Sequence, residues 1–263
     1  NKPDERLYRL IYSNKSTLGY DRYHKYAMAV KSQKDPLTFL VRKESTYYPV
    51  YWLLKTIKRK LRILEVGCSY GYLSIALKRM GHDVTGIDIS KEAISFARQN
   101  FGEYFVQSDI ASFSKQGKKF DLIIAIELIE HLAEPVHFIS DCMKLLDSGG
   151  RLLVITPNKD YSKGSIWQTD LPPVHTVWLS RQSFISISKK FGLNVSFVDF
   201  SNVSGDRENK LVELFLYRVA KSFAPILESD GHLVQQKMGQ PSLFRNIAAL
   251  FLVDFAPIRL MCN

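Results

Sequence analysis

Two carboxylates and a histidine lie close together in the middle of the chain, at a spacing that could form a metal-binding or catalytic site. Glu127, Glu130 and His131 occupy positions i, i+3 and i+4, so on an α-helix their side chains would share one face. His175 lies in a long connection between predicted strands, and a connection of that length is commonly functional. Two carboxylates and two imidazoles could bind Mg²⁺, Mn²⁺, Fe²⁺ or Zn²⁺. Alternatively, His131 could act as a general base, or the group could be structural.

A second group of residues has the layout of a nucleotide-binding βαβ unit. Glu65 ends the apolar run 63–66, Gly67 and Gly71 lie in the turn that follows, and Asp88 ends the next apolar run. The glycines let the backbone approach a ligand, and the terminal acid can accept hydrogen bonds from ribose hydroxyls. The glycines read E-x-G-x-x-x-G and not G-x-G-x-x-G, which argues against a nicotinamide-dependent dehydrogenase.

The elements that must position these residues alternate between strands and helices. Seven strands are predicted, at residues 63–66, 83–87, 104–106, 120–126, 151–156, 193–200 and 258–262. The fourth is a continuous apolar run, which is typical of a parallel sheet covered on both faces. Since ligands bind at the carboxyl ends of strands in such sheets, residues 127–131 would lie at the ligand-binding edge.

In these motifs the sequence resembles the class I S-adenosylmethionine (SAM)-dependent methyltransferases. Their first motif is (D/E)-x-G-x-G-x-G, and Ser69 stands where that motif has its middle glycine. The segments E-x-x-E-H-x-x-x-P at 127–135, G-G at 149–150 and T-P-N at 156–158 resemble a branch that includes ubiquinone-pathway O-methyltransferases. The resemblance covers about residues 61–200. It implies an α/β fold with a doubly wound, seven-stranded, mostly parallel sheet in the order 3-2-1-4-5-7-6, with strand seven antiparallel.

The resemblance also implies that SAM is the cofactor and which residues contact it. Asp88 would bind the ribose, Asp109 would accept from the adenine amino group, Ile110 would pack on the adenine ring, and Glu127 would lie near the methionine part. The implied cofactor-binding residues are Glu65, Gly67, Cys68, Ser69, Gly71, Asp88, Ile89, Asp109, Ile110 and Glu127.

Three interpretations of the residues after the fourth strand stay open. In the first, Glu127, Glu130, His131 and His175 are ligands of a divalent metal, which resembles the small-RNA 3′-terminal 2′-O-methyltransferases with their two Glu and two His. In the second, His131 alone is the general base for a hydroxyl acceptor. In the third, the residues are structural. The candidate catalytic residues are therefore His131 and His175.

Basic charge and tyrosines are concentrated before the first strand. Residues 1–60 hold 14 Lys and Arg against 5 Asp and Glu, while the whole chain has a net charge of +10, so the remainder is nearly neutral. We therefore predict a basic, Tyr-rich, helical N-terminal cap over 1–60 and a methyltransferase domain over 61–263, with a helical insertion at about 205–256 before the last strand. The cap could attract an anionic substrate, or its charges could be solvated helix faces whose tyrosines pack.

The expected function is methyl transfer from SAM to an oxygen of an anionic small molecule or glycan. The alternatives are metal-assisted 2′-O-methylation of a 3′-terminal RNA ribose and, in another class, a non-catalytic SAM-binding interaction module. The three widely separated cysteines and the lack of a transmembrane-length apolar run lead us to expect no signal peptide, no membrane span and a cytoplasmic location. Apolar helices predicted at 207–224 and 242–255 could pack on the core, close over the substrate or support a dimer.

Overall fold

The computed structural model describes residues 21–161, 175–200 and 203. The predicted helices at 207–224 and 242–255, the insertion that contains them and the predicted strand at 258–262 lie outside the described residues.

A parallel sheet of five strands forms the centre of the described structure, in the order β3-β2-β1-β4-β5. The strands are β1 Arg62–Val66, β2 Asp83–Asp88, β3 Phe105–Gln107, β4 Phe120–Ile126 and β5 Leu146–Ile155. This confirms the first five predicted strands and their order. β5 begins five residues earlier than predicted, because Leu146 pairs with Phe120 ahead of an irregularity in the ladder.

Eight helices are described, and serine and glycine mark the ends of two of them. They are α1 Asp21–Ala29, α2 Pro36–Lys43, α3 Tyr48–Lys55, α4 Tyr72–Arg79, α5 Lys91–Phe101, α6 Ile110–Ser114, α7 Pro135–Leu145 and α8 Arg181–Phe191. Ser90 caps α5 by accepting from the Ala93 amide. Ser180 opens α8 with a capping box, and Gly192 ends it in a left-handed conformation.

Helices cover both faces of the sheet. One hydrophobic core joins α1–α4 to the sheet through fully buried residues such as Val50, Leu73 and Ile124. A second core joins α7 and α8 to the opposite face through residues such as Phe184 and Val154. The arrangement is the doubly wound α/β fold, and it places the carboxyl ends of the strands along one open edge.

Tyrosines attach the N-terminal helices to α4. The Tyr47 hydroxyl donates to the Tyr72 hydroxyl at 3.0 Å, and the Tyr23 ring stacks on Tyr72 at a centroid distance of 6.0 Å. Tyr26, also buried, donates to Glu44. These tyrosines therefore pack in the core, whereas the predicted domain boundary at residue 60 and the role of 1–60 as a cap stay predictions.

The sixth predicted strand, residues 193–200, has no strand ladder among the described residues. In the predicted order its neighbour is residues 258–262, which the structure does not describe, and a strand requires a paired neighbour. This strand therefore stays a prediction. On α3, Trp52 is 45% exposed, whereas Leu53 is buried.

Within residues 21–161 and 175–200, no helix is both long enough and apolar enough to cross a bilayer.

Candidate active site

The glycine turn between β1 and α4 is tied to the end of β2. The amides of Gly67 and Cys68 both donate to the Ile87 carbonyl, at 2.8 and 3.0 Å. Gly67, Ser69 and Gly71 all have positive φ, at 77°, 49° and 78°. A Cβ on Gly71 would lie 2.5 Å from Phe105 Cζ, so only glycine fits there. The turn thus brings backbone close to the carboxyl edge of the sheet.

Asp88 holds the turn and the start of α5 together. Its Oδ2 accepts from the Ser69 amide and its Oδ1 accepts from the Ser90 amide, each at 2.8 Å. Burial raises the pKa of Asp88, and the two backbone hydrogen bonds oppose that effect. A carboxylate has about four acceptor sites, so Asp88 keeps the capacity to bind ribose hydroxyls as well.

Glu65 and Cys68 have their side chains beneath the turn. Glu65 is 6% exposed and accepts from the Ser74 hydroxyl, and burial raises the pKa of Glu65 to about 8. Cys68 is buried, and a Cβ on Gly86 would lie 3.0 Å from its sulfur. Because the Cys68 side chain packs into the interior, its backbone is the part that remains at the turn.

The residues after β2 and β3 lie side by side along the same edge. Ile89 is 50% exposed beside Asp88, and the Ser108 amide donates to the Asp88 carbonyl at 3.0 Å. Asp109 is exposed and caps α6 by accepting from the Ser112 amide and hydroxyl. Ile110 follows it, half-buried. Their contact with a cofactor stays a prediction.

Residues 127–131 do not form the predicted α-helix. Glu127 is half-buried with φ at 51°, and its amide donates to the Ile155 carbonyl at 2.8 Å. A 3₁₀ turn, Ile129–His131, follows. The shared face at i, i+3 and i+4 requires an α-helix, so the spacing argument for Glu127 fails. Among the described residues, the structure brings together Glu130, His131 and His175, and Glu127 is not part of this group.

The segment that carries His175 is held by backbone hydrogen bonds to this 3₁₀ turn. The amides of Thr176 and Val177 donate to the Glu130 carbonyl, at 2.8 and 3.2 Å. The Thr176 hydroxyl donates to the Leu132 carbonyl at 3.0 Å. As a result the rings of His131 and His175 lie 4.7 Å apart, centroid to centroid, at an angle of 66°.

Thr156 joins the same group, although the sequence analysis did not assign it a role. Its hydroxyl donates to Glu130 Oε2 at 2.8 Å, and both residues are buried. Thr156 is the first residue of the T-P-N motif. The motif marked this position in the sequence, but it did not indicate the hydrogen bond to Glu130. Nearby, Asn158 pairs with Leu179 and the Lys159 amide donates to the Leu179 carbonyl, which fixes the other end of the histidine segment.

The cluster of Glu130, His131 and His175 has a donor set that fits a divalent ion. One ligand atom from each residue lies within 4.8 Å of the others. Nitrogen and oxygen ligands bind such ions at about 2.0–2.2 Å, so side-chain rotations that bring the three atoms closer together would let these residues hold one ion. Two imidazoles and one carboxylate suit transition metals and zinc, with further positions open. Without an ion, the same imidazoles could accept a proton.

The cluster and the glycine turn adjoin each other. A Cβ on Gly67 would lie 3.3 Å from Leu128 Cδ1, and Leu128 directly precedes the 3₁₀ turn that carries Glu130 and His131. A doubly wound sheet with a glycine turn, a strand-terminal acid and a polar cluster at the carboxyl edge defines a Rossmann-like protein with a nucleotide-type ligand site.

The family follows from comparison with known proteins. Residues 47–196, more than half of the chain, match the family model described as "Methyltransferase domain". The chain therefore belongs to this family, which confirms the family predicted from its motifs.

Solved structures show the same fold. A SAM-dependent methyltransferase from Archaeoglobus fulgidus matches with a TM-score of 0.54 and 18% identity, over 92% of this chain and 99% of that one. Magnesium protoporphyrin IX methyltransferase from Synechocystis matches with a TM-score of 0.50 and 21% identity, over 73% and 89%.

Curated relatives share more sequence over a shorter region. A ubiquinone biosynthesis O-methyltransferase of Coxiella burnetii is 36% identical over 111 residues, 40% of this chain and 47% of that protein. The protein of the same name from Xylella fastidiosa is 39% identical over 104 residues, 37% of this chain and 42% of that protein. The chain thus spans less than half the length of these two relatives.

Proposed function

We propose that the protein transfers a methyl group from SAM to an oxygen atom of a small-molecule acceptor. The observation that carries this proposal is the cluster of Glu130, His131 and His175, assembled from two segments beside the glycine turn. An oxygen acceptor is further supported by the curated relatives, which are named O-methyltransferases.

For this reaction the protein must position the acceptor oxygen and must accept the proton of the acceptor hydroxyl. The methyl group of a sulfonium is already activated, so holding the acceptor oxygen in line supplies much of the rate. A hydroxyl acceptor must also lose its proton, and an imidazole is suited to take it near neutral pH. We assign that task to His131 or His175, which lie ring against ring at the site.

The cofactor would lie along the carboxyl ends of β1, β2 and β3. In this proposal Asp88 accepts from the ribose hydroxyls, Asp109 accepts from the adenine amino group, and the exposed Ile89 and the adjacent Ile110 pack on the adenine. The backbone of the glycine turn and Glu127 would face the methionine part.

The alternative to a histidine base is a divalent metal ion bound in the same cluster. Glu130, His131 and His175 would hold it, and when bound it would lower the pKa of the acceptor hydroxyl. Thr156 would orient the Glu130 carboxylate through the hydrogen bond already present, as outer partners of metal ligands commonly do.

The acceptor itself is defined only by class. An anionic small molecule or glycan stays our first proposal, on the strength of the basic N-terminal 60 residues. Metal-assisted methylation of a 3′-terminal RNA ribose is the alternative and requires the metal version of the site.

The experiment is a product assay with isotopically labelled SAM and a panel of phenols, sugars and short RNAs, run with and without EDTA. Turnover that survives EDTA and falls about 10²–10⁴-fold in His131→Ala or His175→Ala supports the base. Turnover lost in EDTA, with one ion per wild-type chain by elemental analysis and none in His175→Ala, supports the metal. His137→Ala, whose side chain is 79% exposed on α7, is the control.

Two outcomes count against the proposal. SAM binding without turnover of any acceptor in the panel would favour the non-catalytic binding module. Full activity in both histidine variants in the presence of EDTA would leave the cluster with a structural role only.

A further inference from the structure

The N-terminal helix α1 contacts the glycine turn through one side chain. The His24 ring lies 5.6 Å from the Tyr70 ring at 89°, and 5.0 Å from the ring of Phe96 in α5, measured between centroids. Tyr70 and Phe96 also meet each other, at 5.2 Å and 84°. The three rings therefore form a closed group, in which Tyr70 meets the other two rings edge-to-face and the rings of His24 and Phe96 are tilted at 59°.

Tyr70 is part of the turn that the cofactor would approach. It lies between Ser69, with φ at 49°, and Gly71, with φ at 78°. The amide of the preceding residue, Ser69, donates to the Asp88 carboxylate at 2.8 Å, so Tyr70 directly follows the point where the turn meets the end of β2. The ring that His24 contacts is therefore beside the ribose site of the proposed function.

Helix α1 is fixed in place by contacts that do not involve His24. Ala27 and Val30 are fully buried, and the Arg79 guanidinium donates to the Val30 carbonyl at 3.0 Å. Lys31 Nζ donates to Asn100 Oδ1 of α5 at 2.6 Å. His24 is thus presented from a rigid support that spans α4 and α5, and its removal should leave the helix docked.

We propose that His24 is a positioning residue for cofactor binding, which holds Tyr70 against Phe96 and keeps the glycine turn in its binding conformation. The turn needs such support because Ser69, at φ 49°, adopts a left-handed conformation that is unfavourable for a residue with a Cβ. Helix α1, which precedes the motifs of the family, then sets the affinity for SAM. The inference rests on the proposed function, since it concerns the same cofactor site.

The test is calorimetric titration of the full chain with S-adenosylhomocysteine (SAH), the demethylated cofactor. His24→Ala should weaken binding about three- to tenfold, the size of one aromatic contact. His24→Phe keeps a ring in place and should bind within twofold of wild type. Met28→Ala is the matched control, because Met28 lies one turn further along α1 and is 47% exposed. Hydrogen exchange of the peptide 67–72 should be faster in His24→Ala and unchanged in Met28→Ala.

Two results would overturn the inference. Equal SAH affinity in wild type and His24→Ala would show that the ring contact does not support the turn. Equal weakening in His24→Ala and His24→Phe would show that the aromatic ring is not what matters. If His24→Ala does not fold, Phe96→Leu removes the opposite ring and must weaken SAH binding to the same degree. Absence of SAH binding by the wild type would instead refute the proposed function.

Discussion

Ser69 carries the strain of the glycine turn. It holds φ at 49° where the related motif has glycine. A residue with a Cβ is disfavoured there by about 1–2 kcal/mol, and the extra freedom that glycine gives the unfolded chain costs about 0.4–1 kcal/mol. We expect Ser69→Gly to raise the free energy of unfolding by about 0.5–1 kcal/mol in denaturant titrations. Ser69→Ala keeps the Cβ and should give no gain; an equal gain from both would contradict the strain.

Glu65 makes stability depend on pH. Burial raises its pKa from 4.5 to about 8. Between these values the unfolded chain has lost the proton and the folded chain keeps it, so the stability contributed by Glu65 is present below about pH 4.5 and is lost as pH rises to about 8. Glu65→Gln cannot ionise. We expect it to be more stable than wild type by about 1–3 kcal/mol at pH 8 and similar at pH 4, measured by urea denaturation.

The control for Glu65 is a glutamate at the surface. Glu103 has an 85% exposed side chain, and Glu103→Gln should follow the wild type at both pH values. A Glu65→Gln variant that also follows the wild type from pH 4 to pH 8 would show that Glu65 is ionised in the folded protein.

At the scale of elements, close packing of α4, α5 and β3 determines the shape of the turn. A Cβ on Gly71 would meet the fully buried Phe105 ring at 2.5 Å and Ala97 Cβ at 3.1 Å. Gly192 has a similar φ, 65°, with open space around it. Gly192→Ala should therefore cost about 1–2 kcal/mol from strain alone. Gly71→Ala should cost about 1–3 kcal/mol more because the core must be overpacked.

A double variant tests the cause of that difference. Phe105→Leu combined with Gly71→Ala should recover part of the stability lost in Gly71→Ala, measured by thermal and chemical unfolding. Equal losses in the Gly71 and Gly192 variants would mean that the Phe105 contact is not limiting.

The sequence predicted those elements whose signals are local. The apolar runs of β1 and β4 and the glycine turn are short-range patterns, and each appears in the structure. The structure does not place Glu127 with Glu130 and His131 on one helix face, because Glu127 has a left-handed backbone conformation and a 3₁₀ turn follows it. That conformation is fixed by a hydrogen bond to the Ile155 carbonyl, which no local pattern reveals.

Contacts distant in sequence explain the rest of the site. Thr156 reaches Glu130 from the next strand, and His24 reaches Tyr70 across 46 positions. His175 was selected for its place in a long connection, and the hydrogen bonds of Thr176 to the 3₁₀ turn are what bring it to His131. The residue types could be chosen from sequence, but their grouping depended on tertiary packing.

Over the whole molecule, part of the basic charge lies at the edge of the sheet opposite the site. Lys58 and Lys60 are exposed just before β1, whose five residues span about 16 Å. This is about two screening lengths at physiological ionic strength. We expect the double variant Lys58→Ala/Lys60→Ala to keep the KM of an anionic acceptor within twofold at that salt. A several-fold rise in KM would show that these charges do steer the acceptor.

The central claim is that the cofactor binds across the glycine turn and Asp88. Calorimetric titration with SAH tests it most directly, on wild type, Asp88→Asn and Asp83→Asn, whose residue is exposed at the opposite end of β2. We predict one SAH bound per wild-type chain, unchanged affinity in Asp83→Asn, and at least a tenfold weaker affinity in Asp88→Asn, a difference of about 1.5 kcal/mol for a lost charged hydrogen bond. No binding by the wild type, or equal affinity in wild type and Asp88→Asn, would contradict the claim.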